Sequence, residues 1–206
     1  MLPVASALLV FSLVSPANAA DVGDWTGLHV GGNIGYGWGD YSDSVLQASD
    51  VDGSLAGAQI GYDWQLGQNH NIVLGVEADF NWSDMQDTLK SRYPQYDLFA
   101  IGGNGALVSI NDTSIDLDWL STVRLRAGVL PRPDWLIYAT GGFAFGNVKY
   151  ANFGSSRGAG WTLGTGTEWK FAPQWSAKAE YLYFDLGNTG IDFDGHILRV
   201  GVNYHF

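Results

Sequence analysis

From Leu28 onward the chain changes character at every step. Leu28, Val30, Ile34, Tyr36 and Trp38 share one parity with Gly32, and His29, Gly31, Asn33, Gly35 and Gly37 lie between them. The same alternation returns over residues 56–64, 72–82, 117–129, 161–171, 175–183 and 198–206. A period of two marks a strand whose faces meet different surroundings. Residues 135–148 are strand-like but apolar on both faces, and Trp135, Ile137, Ala139, Phe143 and Phe145 are assigned to the apolar side. Each of these segments is long enough, at roughly 9–11 residues, to cross a bilayer at a tilt. The expected fold is all-β, an eight-stranded antiparallel up-and-down transmembrane β-barrel.

A soluble sandwich would alternate too, so the charges decide. Within the strands they are Asp63, Glu77, Asp79, Arg124, Arg126, Glu168, Lys170, Lys178, Glu180 and Arg199, and all fall on the face rich in glycine. Five are acidic and five basic, which leaves the whole net charge of -11 in the loops and ends. A balanced, glycine-rich charged face fits a narrow lumen filled by paired side chains better than a solvated surface. Adjacent-strand pairs joining Lys170 and Lys178 to Glu168 and Glu180 are expected. An arginine at outward Leu125 is expected to cost more than one at luminal Thr122.

The tryptophans sharpen the picture. Trp25, Trp64, Trp135, Trp169 and Trp175 fall at one rim, and Trp38, Trp82, Trp119 and Trp161 at the other. Two aromatic girdles around an apolar band match a membrane-spanning barrel, because indole prefers the headgroup level. Connections at 67–71, 131–134 and 172–174 are tight, whereas 40–54, 83–116, 150–158 and 187–195 are longer. Short periplasmic turns and long extracellular loops are usual for outer-membrane barrels, so both termini are expected at the periplasmic rim. A short hairpin, 98–101 with 106–110, sits inside the second long loop.

The first residues read differently. An apolar core at 5–14, a break at Pro16, and small residues at Ala17 and Ala19 lay out a secretory signal peptide over residues 1–20, with cleavage after Ala19 or Ala20. The barrel domain is then 21–206. The chain has no cysteine, which removes disulfides, thiolate metal sites and a Cys nucleophile. Its acidic balance argues against nucleic acid as a partner. At the far end Leu198, Val200, Val202, Tyr204 and Phe206 line one face and finish on an aromatic, the form of the terminal strand signal read by the outer-membrane assembly machinery. The other partners expected are outer-membrane lipid and lipopolysaccharide.

Several motifs carry a family resemblance. They are Thr122-Val123-Arg124-Leu125-Arg126-Ala127-Gly128, Tyr138-Ala139-Thr140-Gly141-Gly142-Phe143-Ala144-Phe145-Gly146, Gly160-Trp161-Thr162-Leu163-Gly164, and Lys178-Ala179-Glu180-Tyr181-Leu182-Tyr183. With the opening Trp25-Thr26-Gly27-Leu28-His29-Val30-Gly31-Gly32, the chain resembles the porin-like, OmpA-related eight-stranded surface proteins of alphaproteobacteria, often called outer-membrane immunogenic proteins. The resemblance implies a barrel in the bacterial outer membrane with extracellular loops. It implies little about activity: some members are described as haemin binders, and "porin" in their names does not establish a channel.

No catalytic spacing stands out. His29, His70, His196 and His205 form no metal-ligand motif, and the carboxylate pairs on the strands have basic neighbours on the same face. The leading expectation is a non-enzymatic structural barrel, without cofactor or metal, that supports envelope integrity. The alternatives are surface capture of haemin or a host factor, with His196, Tyr41, Tyr93, Tyr96 and Phe153 as candidate contacts, and a narrow porin-like channel.

Overall fold

The computed structural model describes residues 23–41, 49–67, 70–88, 99–101, 107–109, 114–150, 154–187 and 193–206. The expected signal peptide, residues 1–20, lies outside them. Ten strands form among the described residues: β1 (Gly27–Tyr41), β2 (Ser49–Leu66), β3 (Ile72–Thr88), β4 (Phe99–Ile101), β5 (Leu107–Ser109), β6 (Ser114–Arg132), β7 (Trp135–Tyr150), β8 (Gly154–Ala172), β9 (Trp175–Asp185) and β10 (Phe193–His205). Eight of them close into a barrel in the order β1-β10-β9-β8-β7-β6-β3-β2, every neighbour antiparallel, and β4 and β5 pair apart as the hairpin of the second loop. Closure pairs the last strand with the first, Tyr204 opposite Val30 and Val202 opposite Gly32, so no barrel edge is left open.

The strands run well past the expected spans. β6 and β8 have 19 residues each, and the pairing continues through much of what the pattern assigns to loops. Beyond the bilayer the ladder still satisfies its backbone groups, but no lipid demands an apolar face, so the alternation fades while the strand persists. Two of the turns hold only two residues, with Arg132 opposite Trp135 and Ala172 opposite Trp175. The β2–β3 turn uses left-handed backbone at Gly67 (φ 95) and at His70 (φ 51). The end with these turns is the turn end, and the opposite one the loop end.

The outer surface is inverted relative to a soluble protein. Leu125 is 70% exposed, Phe143 67% and Leu163 58%, in a continuous apolar belt that only lipid can cover. The doubtful strand β7 faces as assigned: Trp135, Ile137, Phe143 and Phe145 point out, whereas Leu136, Tyr138 and Ala144 are buried inside. Two readings need correction. The alternation over 117–129 puts Leu117 on the outward face with Trp119, yet it is buried in the lumen, because a bulge between Leu117 and Trp119 shifts the parity there. The sequence pattern assigns Trp25 to a girdle, yet it is fully buried inside the barrel mouth.

Candidate functional site

The lumen is the place where this sequence concentrates chemistry. Asp63, Glu77, Asp79, Arg124, Arg126, Glu168, Lys170, Lys178, Glu180 and Arg199 all point into it and all are buried. The room comes from glycine. Arg124 lies opposite Gly142, Arg126 and Asp63 opposite Gly75, Glu77 opposite Gly61, Glu180 opposite Gly166, Lys178 opposite Gly201, and Arg199 opposite Gly35. A Cβ at Gly75 would overlap Asp63 Oδ1, and one at Gly142 would lie 2.7 Å from Arg124 Cα. An eight-stranded bore is just wide enough for side chains to fill, and these glycines let long ones lie across it.

Glu77 is the hub. It accepts from Arg124 Nη2 at 2.6 Å and from Lys178 Nζ at 2.8 and 3.0 Å, and His29 Nε2 stands 3.4 Å away. Toward the loop end, Asp79 accepts from Arg124 at 2.9 Å, Arg199 at 3.0 Å and Thr122 Oγ1 at 2.7 Å, while Arg199 Nε also donates to Glu180 at 2.7 Å. Toward the turn end, Arg126 clasps both oxygens of Asp63 and reaches Glu168 at 2.9 Å. Tyr138 donates to Glu180 at 2.9 Å. A neutral chain, Asn33 to Gln59 to Asn203 to Glu168, links the wall near β1 to the same acids at 3.1, 2.6 and 2.7 Å.

Adjacent-strand pairs form at Arg124 with Glu77 and at Arg199 with Glu180, but not at the two lysines. Lys178 passes over Glu168, its direct ladder partner, and bonds Glu77 on the opposite wall. Lys170 forms no ion pair among the described residues. It donates to the Asp24 carbonyl and lies 4.8 Å over the Trp25 ring. The bore is narrow enough that the far wall is as reachable as the neighbouring strand, and Glu77 collects cations from several strands at once.

Both ends of this charged layer are sealed by apolar groups. At the turn end Trp25 packs with Val73, Leu136 and Tyr138, and its Nε1 donates to the Pro133 carbonyl at 2.8 Å. At the loop end Leu55, Met85, Leu117, Leu120, Leu182, Phe184, Leu186 and Ile197 are buried inside. The second cap was missed from sequence, although its signal was present: Leu182, Phe184 and Leu186 continue the inward parity of Lys178 and Glu180. A hydrophobic lid lowers the local dielectric around the charges, which makes an intact network favourable and a broken one costly.

One cluster invites a catalytic reading and does not sustain it. Ser176 Oγ donates to Glu168 Oε1 at 2.5 Å and lies 3.0 Å from His205 Nε2, and the same His205 nitrogen is 3.4 Å from Glu168. In a nucleophilic triad the acid orients the imidazole from its other nitrogen and substrate reaches the hydroxyl. Here the acid shares the serine's side of the ring, and Ser176 and Glu168 are fully buried. His29 is likewise held between Asp63 at 3.3 Å and Glu77. His196 lies on β10 in the loop-end girdle, its Nδ1 2.7 Å from the Tyr181 hydroxyl and its ring near Trp38 and Tyr183. Tyr93, Tyr96 and Phe153 lie outside the described residues. The terminal-signal side chains Leu198, Val200, Val202 and Phe206 face lipid, and Tyr204 packs between Trp175 and Phe206.

A closed antiparallel barrel, apolar outside between aromatic rims and charged within, is a bacterial outer-membrane β-barrel. The profile of the outer membrane protein beta-barrel domain matches residues 6–206, and the chain belongs to that family. It is 33% identical to the 31 kDa outer-membrane immunogenic protein of Brucella melitensis over 92% of this chain and 87% of the relative. It is 30% identical to a 22 kDa outer membrane protein of Rhizobium leguminosarum over 84% of this chain and 69% of the relative. The crystal structure of Neisserial surface protein A superposes with a TM-score of 0.60 at 12% identity, covering 88% of this chain and 98% of that one, which is a likeness of fold alone. The protein is therefore an outer-membrane β-barrel.

Proposed function

We propose that this chain is a non-catalytic structural barrel that contributes to envelope integrity, with its loop end outside the cell and both termini in the periplasm. Residues 1–20 act as the signal peptide, and the closing strand β10 carries the assembly signal. One observation carries the reading: among the described residues a network of ion pairs reaches from wall to wall of the lumen, with buried apolar clusters on both sides of it. Such a plug ties strands across the bore, stiffens the wall and sets buried side chains across the way a solute would take. The channel alternative needs a wet bore where Arg124, Glu77 and Lys178 meet. The haemin alternative through His196 has less support, because the ring is engaged by Tyr181 and buttressed by aromatics.

The test is planar-bilayer conductance of the purified, folded protein, paired with detergent sensitivity of a deletion strain. Negligible steady conductance and a leaky deletion strain are expected. Large, stable single-channel steps from the intact protein would replace the structural reading with a pore.

A further inference from the structure

The lipid-facing wall is not evenly rough. A groove of about 1080 Å³ crosses it, floored by Gly32, Ala56, Ala58, Ala177 and Ala179. Its course follows the ladder: Phe80, Ala58, Gly32, Val202, Ala177 and Trp169 stand directly opposite one another from strand to strand. Five strand spacings of roughly 4.8 Å make about 24 Å. Because the strands tilt by about 35–45° from the barrel axis, such a row climbs about 14–17 Å toward the loop end as it winds around the wall.

The two ends differ in charge. At the loop end the groove passes Trp82 and runs on to Tyr36, Ser54 and Asp84, where Tyr36 is bonded to Asp52 and Ser54 Oγ donates to Asp84 at 2.9 Å. That end presents carboxylates. The turn end presents Arg132, 61% exposed, its guanidinium 4.6 Å over the Trp135 ring. Trp135 is held by Thr167, and Trp169 Nε1 donates to Asp134 at 3.1 Å, so the platform beneath the arginine is built rather than loose. Asp134 also faces Arg132, but only at 3.9 Å through Nε, which leaves the terminal nitrogens for another acceptor.

The geometry points to a dedicated glycerophospholipid site: an acyl chain lies along the groove, and its phosphodiester is held by Arg132 beside Trp135 and Trp169. A guanidinium matches two phosphate oxygens, indole sits at headgroup depth, and an acidic far end disfavours the reverse orientation. With the turn end in the periplasm, as proposed above, the occupant comes from the inner, phospholipid leaflet. The site itself does not depend on that orientation.

Native mass spectrometry of the mature barrel released from micelles tests this, with phosphatidylglycerol and phosphate-free diacylglycerol as probes. The wild type is expected to retain one phosphatidylglycerol at least tenfold more often than diacylglycerol. Arg132→Gln should remove most of that preference and leave diacylglycerol unchanged. Ala177→Phe, which fills the floor, should lower both, and Ala58→Phe serves if that variant loses its heat-modifiable gel shift. Millimolar inorganic phosphate should not displace the lipid. Equal retention of the two lipids, indifference to Arg132→Gln, displacement by free phosphate, or a protein dimer that Ala177→Phe dissolves would each overturn the site. Conductance is read separately on the same samples: a leak there would sink the plugged-barrel reading and leave the lipid result standing.

Discussion

Replacing Glu77 by Gln keeps the shape of the side chain and removes one negative charge from a buried network that balances five acids against five bases. Lys178 donates only to Glu77 among the described residues, at 2.8 and 3.0 Å, and Arg124 loses its 2.6 Å partner. An amide can still accept one hydrogen bond, but its NH₂ then faces cations. Breaking a buried pair from one side costs about 3–5 kcal/mol, since the other charge stays buried and uncompensated. The retained acceptor puts Glu77→Gln near the lower limit, about 3 kcal/mol, or roughly a hundredfold in the folding equilibrium. Pairing it with Lys178→Met restores neutrality, and the double variant should recover more than about 1 kcal/mol relative to the sum of the singles. Urea unfolding in lipid vesicles, followed by tryptophan fluorescence and by gel mobility, gives all four corners of the cycle. A Glu77→Gln barrel within about 0.5 kcal/mol of wild type, or additive singles, would refute the tightly coupled lumen.

Leu125→Arg places a cation on the lipid face and should cost about 2–4 kcal/mol in the same assay. Thr122→Arg is not the benign luminal control that parity suggests: Thr122 is 1% exposed beside Arg124 and Arg199, so this variant too should fold poorly. Trp25→Ala empties the turn-end seal and should cost about 3–5 kcal/mol, and small conductance flickers absent from wild type are its expected signature in a bilayer. Deleting Phe206, 65% exposed with its amide bonded to the Leu28 carbonyl at 3.0 Å, should leave export intact and slow insertion, seen as delayed heat-modifiable mobility in pulse-chase.

How far the molecule could be read without coordinates divides along a physical line. Strand identity and the facing of each side chain were legible because both are local. The pleat alternates with period two, and lipid accepts only one of the two faces, so Val76, Leu125 and Val200 had to point out where Glu77, Arg124 and Arg199 pointed in. That rule weakens wherever something other than the pleat intervenes. A single bulge turned Leu117 inward. Trp25 precedes β1, where no ladder fixes parity, and it folded into the mouth instead of joining the girdle.

Partner choice across the bore belonged to the tertiary structure alone. Which cation meets which acid depends on bore width and on the stagger set when β10 closes on β1, quantities that no stretch of chain contains. So Lys178 finds Glu77 on the far wall, and Lys170 is drawn to the Asp24 carbonyl. The lipid groove is decided in the same way: Ala58, Gly32 and Ala177 lie far apart in the chain and become one furrow only when closure sets their strands side by side.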